Sequence, residues 1–186
     1  MTVQKDVPIF QLKVSLREIS PPIWRRFLVR GDVTLYKLHG VLQVMMGWMG
    51  THMYRFDVGR AEYGPTDGPS GQAVEDDRKA RLQKVAGSEG AAFTYKYDFG
   101  DGWEHDVVVE KIVPAEPGAR YPICLAGARA CPPEDCGGPP GYESLIEAIV
   151  TPNHPEAHEL LEWVGGRFDP EAFDLVGINR RIREAR

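Results

Sequence analysis

The chain predicts an α+β fold, a mainly antiparallel sheet with helices packed on one side. Three observations predict it. Apolar and polar residues alternate over residues 9–18 and again through 93–109, the period-2 pattern of half-buried strands. Elsewhere, apolar residues recur at three- and four-residue spacing, the mark of amphipathic helices. The 186 residues are 42% hydrophobic and 26% charged, which suits one soluble core, and no linker is long enough to divide the chain. A single domain spanning 1–186, with its core at about 9–176, is therefore expected.

The elements follow in order. Phe10, Leu12, Val14 and Leu16 share a face against Gln11, Lys13, Ser15 and Arg17, which predicts the first strand. Pro21-Pro22 interrupts it; Ile23, Phe27 and Val29 resume as an antiparallel partner with Arg26 and Arg30 opposite. Thr34 caps a helix carrying Leu35, Leu38, Val41, Leu42, Met45 and Met46, which ends near Gly47. His52, Tyr54, Phe56 and Val58 predict another strand, Gly59 to Gly71 a loop, and Glu75 to Val85 a short polar helix. Phe93, Tyr95, Tyr97 and Phe99 lead through a tight Gly100-Asp101-Gly102 turn into Trp103 to Val113, a hairpin. Pro114 to Gly141 reads as a long Pro/Gly/Cys-rich loop, of a length that implies function or firm attachment to the body. The last third is helical: one helix holds Tyr142, Leu145, Ile146 and Ile149, and another holds Leu160, Leu161 and Val164. Asp169-Pro170 opens a short helix through Phe173, and a basic terminal helix runs from Ile178 to Arg186.

The net charge of −5 conceals an asymmetry. Residues 1–60 hold nine Lys/Arg against four Asp/Glu, and the remainder holds thirteen against twenty-three. Either the two sets attract one another within the fold, the preferred reading, or Arg17, Arg25, Arg26 and Arg30 begin a nucleic-acid footprint. No apolar run approaches a membrane span, and the N-terminus lacks a secretory pattern, so a cytoplasmic location is expected. Three cysteines clustered within thirteen positions do not make a disulfide framework.

Two stretches concentrate chemistry. In the hairpin, Asp98, Asp101, Glu104, His105 and Asp106 lie within nine residues, where carboxylates repel unless a cation or proton compensates. They suit a divalent-metal or acid/base site with His105 as the titrating group. Alternatively Asp98 and Asp101 bond the turn backbone while Trp103 and His105 pack, and that reading is preferred. In the second stretch, Pro132-Pro133-Glu134-Asp135 between Cys131 and Cys136 makes a rigid turn whose carboxylates pair with arginine or face a site. Cys124, Cys131 and Cys136 are candidate metal ligands in a C-x6-C-x4-C spacing unlike a zinc ribbon. A fourth ligand would come from His39, His52, His105, His154, His158, Glu134 or Asp135. Small apolar fillers under the loop is the preferred reading of the thiols.

Pro22-Ile23-Trp24-Arg25-Arg26, Leu38-His39, Gly47-Trp48, His52-Met53-Tyr54-Arg55-Phe56, Tyr97 to His105, Tyr121-Pro122-Ile123-Cys124, Pro132 to Gly138 and Gly141-Tyr142, in that order, resemble the plasmid pRiA4b ORF-3-like family over nearly the whole chain. The resemblance implies an α+β domain and a setting on plasmids or beside insertion elements, where some members carry a resolvase-like passenger-protein label. It supplies no catalytic residues. Ser15, Ser20, Ser70, Ser88 and Ser144 form no nucleophile motif, so recombinase chemistry is not expected.

Two functional classes are compatible with these residues. The first is a non-enzymatic binding module for nucleic acid or a mobile-element protein, with Trp24, Arg25, Arg26 and Arg30 as its contact face. The alternative is a metal-assisted hydrolase or other small-molecule enzyme using Asp98, Asp101, His105, Glu134 and Asp135. The binding module is preferred, because the acidic motifs also make sense as turn and ion-pair chemistry locking the long loop to the basic front.

Overall fold

The structure is a computed structural model that describes residues 7–66 and 74–185. Strands β1 (Ile9–Leu16) and β2 (Trp24–Arg30) form the expected antiparallel hairpin, in register from Ile9 opposite Arg30 to Ser15 opposite Trp24. Helix α1 (Leu35–Met46) begins where the Thr34 hydroxyl accepts the Lys37 N–H at 3.3 Å and ends at Gly47, whose φ of 81° closes the last turn. Strands β3 (Tyr54–Val58) and β4 (Ala61–Gly64) form a second hairpin, and β5 (Glu75–Asp76) adds a short parallel edge.

After the four-residue helix α2 (Leu82–Val85), β6 (Ala92–Tyr97) and β7 (Trp103–Val113) make the third hairpin, in register from Ala92 opposite Val108 to Tyr97 opposite Trp103. Strand β8 (Ile123–Ala128) precedes helices α3 (Gly138–Val150), α4 (Ala157–Trp163) and α5 (Leu175–Glu184). The eight strands form one sheet in the order β5-β4-β3-β6-β7-β1-β2-β8.

The pleat sorts the sheet into two faces. Phe10, Leu12, Val14, Phe27, Val29, Phe56, Tyr95 and Val107 point to one side. There they share a core with Leu38 and Leu42 of α1, Leu145 of α3, and Ile178 and Ile182 of α5. The other side carries ion pairs. Arg17 meets Glu104 and Asp106, each at 2.5 Å; Lys96 meets Glu104 at 3.0 Å and Asp57 at 3.3 Å; Arg55 meets Glu62 at 3.0 Å. The basic front and the acidic remainder of the chain thus neutralise one another across the strands. Each exposed pair contributes at most about 1 kcal/mol.

Five local expectations are corrected. Within the predicted Gly59–Gly71 loop, Ala61–Gly64 pairs with β3; residues 67–71 lie outside the described ones. The predicted helix over Glu75–Val85 is a two-residue strand, a turn and a single helical turn. The Asp76 carboxylate accepts the Arg78 N–H at 3.0 Å there, and the Asp77 carboxylate turns inward to accept from the Tyr54 hydroxyl. The predicted Pro114–Gly141 loop contains β8, which pairs with β2 and is held at its outer edge by Asn179. The Asn179 side chain accepts the Cys124 N–H and donates to the Cys124 carbonyl, both at 2.9 Å, so α5 supplies the bonds of a missing neighbour strand. Asp169-Pro170 opens a turn rather than a helix, its carboxylate taken by the Glu171 N–H at 3.0 Å. The last helix starts three residues before the predicted Ile178, because Asp174 caps it through the Gly177 N–H.

Candidate functional site

The hairpin turn and the proline-rich segment meet. Asp98 sits at a φ of 53°, and its Oδ1 accepts the backbone N–H groups of Gly100 at 3.0 Å and Asp101 at 3.3 Å. An aspartate tolerates that left-handed position because it bonds its own turn. The same carboxylate's Oδ2 lies 3.6 Å from His52 Nδ1, just before β3. Asp101 accepts the Gly137 N–H at 3.1 Å. Glu134 accepts from the Tyr97 hydroxyl and, at 2.9 Å, from the Met49 N–H, while the Trp48 indole donates to the Pro132 carbonyl at 2.9 Å. Asp135, also in the left-handed region at 59°, places Oδ1 3.0 Å from His52 Nε2, but off the line of the ring's N–H.

His52 therefore stands between two carboxylates, one from the hairpin turn and one from the proline-rich loop. Among the described residues, His52, Asp98 and Asp135 are the group whose ligand-type atoms lie within 4.8 Å of one another. An imidazole nitrogen and two carboxylate oxygens make a donor set compatible with a divalent ion. The sequence offers His52 as a strand residue and as a candidate fourth ligand for the thiols, not as a partner of Asp98 and Asp135. What could have singled it out is its place at the head of an aromatic strand that pairs with the acidic hairpin.

His105 does not join them. It is in phase with Trp103, Val107 and Val109 on the core face of β7, fully buried, with Nδ1 donating to the Tyr95 carbonyl at 3.2 Å and the Trp48 ring edge-on at 5.4 Å. The pleat splits the hairpin cluster: Glu104 and Asp106 go to the ion-paired face, and His105 goes inside. Burial pushes the His105 pKa down to about 4, so it is neutral and serves packing.

Burial likewise holds His39 at about 4. Both folded-state values lie below that of an unfolded histidine, so the unfolded chain takes up protons first as the pH falls. Stability is therefore fully present above about pH 6.5 and is expected to fall between there and pH 4, by on the order of 3 kcal/mol for His105 alone. Urea unfolding of wild type and His105→Met across that window checks this. Equal slopes in the two proteins would contradict it.

The three-thiol metal set is not assembled. Cys124 faces the core from β8 with Sγ 3.8 Å from the Ala126 carbonyl; Cys131 lies 3.2 Å from Met46 Sδ; Cys136 sits 4.0 Å from the Gly138 carbonyl. Their separate anchorages explain why no shared ligand group forms from them among the described residues. All three are free thiols, and burial pushes the pKa of Cys131 up to about 11 and of Cys136 up to about 12.

The expected contact face is also dispersed. Arg25 shares the inward phase of Ile23 and Phe27 and is 3% exposed. Its guanidinium donates to the carbonyls of Trp24, Met45, Ala128 and Arg129 and to Cys131 Sγ. Arg26 points to the opposite side and forks onto Glu110 at 2.6 and 2.8 Å, which holds that carboxyl at about 2. Trp24 lies there too, flanked by Lys13 and Arg26 at 5.3 and 5.2 Å. Arg26 lines a small hollow with Gln11, Glu110 and Lys111, and Arg30 reaches a larger concavity on the other side, where it forks onto Asp32.

That larger concavity is a cleft of about 1340 Å³ running along α1. Among the described residues, Arg30, Lys37, Arg81 and Arg120 line it against Asp32 as the one acidic side chain, with Tyr36, Trp48, Tyr54 and Tyr121 as aromatic walls. Sequence reasoning missed Lys37, Arg81 and Arg120. They are scattered through the chain and are brought together by the Thr34–Arg81 bridge and the return of residues 119–122 beside α1.

Known proteins share this architecture. A chain titled as a protein of unknown function, MM3350 from Methanosarcina mazei Go1, has a crystal structure that matches with a TM-score of 0.83 at 35% identity, covering 91% of this chain and 97% of that one. The uncharacterized protein y4hQ of Sinorhizobium fredii is 38% identical over 176 residues, 94% of this chain and 90% of the relative. The family described as plasmid pRiA4b ORF-3-like protein matches residues 8–176. The chain belongs to that plasmid pRiA4b ORF-3-like family.

Proposed function

We propose that this protein is a non-enzymatic binding module that holds a single strand of nucleic acid in the cleft along α1, as an accessory to plasmid or mobile-element transactions. One observation carries the reading: among the described residues, four cationic side chains against one acidic one line the cleft of a molecule whose net charge is −5. Cations paired with aromatic walls suit phosphates and stacked bases. The family's plasmid description is consistent with such a setting. The hydrolase reading is not favoured, because three of the five groups it needs have structural employment. Asp101 and Glu134 are bonded to the docked loop, and His105 is sealed in the core.

Fluorescence anisotropy with a labelled single-stranded oligonucleotide tests the proposal. Affinity is expected to fall as salt rises. Lys37→Ala and Arg81→Ala should each weaken binding and flatten the log–log salt slope by about 0.7. Arg26→Ala, on the opposite face of the sheet, should change neither. No binding at low salt, or equal effects of all three substitutions, would overturn the reading.

A further inference from the structure

His39 and Gln43 lie one helical turn apart on α1, and both line the cleft on the flank facing Gly50. Between them stands the Tyr95 hydroxyl, 2.7 Å from His39 Nδ1 and 2.8 Å from Gln43 Nε2. Burial keeps this phenol protonated, so it has a single hydrogen to give.

When the Gln43 amide donates to Tyr95, Tyr95 donates to His39 Nδ1, and the neutral histidine then carries its hydrogen on Nε2. Gln43 Oε1 is left as an acceptor. With the amide turned over, Oε1 takes the Tyr95 hydrogen and His39 Nδ1 must donate to the phenol. Nε2 then accepts, and Gln43 shows its NH2 outward. In either arrangement the two outward atoms have opposite hydrogen-bonding character. His39 is fixed in plane by stacking on Tyr54, with centroids 3.6 Å apart and planes within 5°.

Neither of the two remaining atoms has a hydrogen-bond partner among the described residues. Gln43 is 5% exposed, and its Oε1 has no partner among the described residues. The two atoms converge: a Cβ on Gly50 would stand 3.5 Å from His39 Nε2 and 3.7 Å from Gln43 Oε1. Gly50 holds a φ of 70°, which disfavours a side chain there, so none covers the pair. A buried amide with one side unpaired, beside a complementary imidazole, is costly to keep unless something completes it.

We propose that His39 and Gln43 form a recognition pair for the amide-like edge of a nucleobase, a ring N–H beside a carbonyl oxygen. The base N–H donates to Gln43 Oε1 and its carbonyl accepts from His39 Nε2–H. The neighbouring Lys37 and Arg81 meet the phosphate. This rests on the nucleic-acid reading of the cleft and narrows it from charge to base chemistry.

The test compares uridine monophosphate with its N3-methyl derivative, which has lost the ring N–H. Calorimetry gives affinities, and the imidazole nitrogen resonances of His39 report contact. Wild type is expected to bind the unmethylated nucleotide at least tenfold more tightly. Gln43→Met and His39→Phe should each erase that difference, the phenylalanine retaining the stack on Tyr54. Oligonucleotide binding through Lys37 and Arg81 with no effect of methylation would overturn the recognition pair and leave the cleft reading standing. Discrimination between the two nucleotides without salt-sensitive oligonucleotide binding would uphold the pair and remove the strand-binding reading. If neither nucleotide moves the His39 resonances, the pair is overturned whatever the oligonucleotides do. Because the wild-type comparison stands alone, a variant that fails to fold does not decide the matter.

Discussion

Arg25→Met is expected to lower the unfolding free energy by about 3–5 kcal/mol, as befits the loss of a buried charged group with many hydrogen bonds. The guanidinium joins three separate pieces of chain. It donates to the Met45 carbonyl at the end of α1 at 3.2 Å, and to those of Ala128 and Arg129 at the end of β8 at 2.8 Å each. It also reaches Cys131 Sγ at 3.0 Å, while the Phe173 ring lies 4.9 Å away. Methionine fills much of the volume but leaves those carbonyls without a donor in a dry place, at about 1–3 kcal/mol for each one stranded. Arg25→Lys should recover only part, since an ammonium cannot span the fork. Arg26→Met, losing a partly exposed pair with Glu110, should cost only about 1 kcal/mol. Urea unfolding followed by tryptophan fluorescence measures all three. An Arg25→Met loss no larger than that of Arg26→Met would refute the assignment of Arg25 as a staple.

The contrast between these adjacent arginines shows what was legible in the sequence. Residues 23, 25, 27 and 29 share one phase of β2, and that parity already placed Arg25 with Ile23, Phe27 and Val29 on the inner face. Its charge argued for the surface, and charge was given the greater weight. Parity was the better guide because a guanidinium can be satisfied by carbonyls as well as by carboxylates. At His105, in phase with Trp103 and Val107, parity and the preferred packing reading agree with its burial. Strands with strict alternation and the Thr34-to-Gly47 helix were readable for the reason that a period or a cap acts locally.

Strand β8 was not readable. Its Ala126-Gly127-Ala128 end has little strand propensity, and it is kept in place by the pairing with β2 and by Asn179, which is fifty-five residues from Cys124. The hydrolase alternative already grouped the hairpin's Asp101 with Glu134 of the proline-rich loop, and the two segments do meet, but the arginine partners expected for the loop are replaced by the Tyr97 hydroxyl and the Met49 and Gly137 N–H groups. The cleft was not legible, because Lys37, Arg81 and Arg120 become neighbours only through tertiary packing.

The second large effect is expected at the joint itself. Gly138→Ala should destabilise the protein by about 3 kcal/mol or more, from left-handed strain and a backbone clash together. Gly138 opens α3 at a φ of 69°, and a Cβ there would stand 2.1 Å from the carbonyl oxygen of Asp101 and 3.1 Å from its carbon. That oxygen belongs to a turn held by Asp98 and bound to Gly137, so neither side can retreat without breaking the contact. Gly118→Ala is the matched control. Its φ of 79° imposes the same left-handed cost, but nothing lies within 4 Å of the added carbon, so a loss of about 1 kcal/mol is expected. The difference between the two isolates the close approach of turn and helix from the intrinsic cost of the backbone conformation. Should both alanine variants unfold at the same urea concentration, the hairpin turn and the start of α3 are not in rigid contact, and the placement of Asp135 beside His52 loses its support.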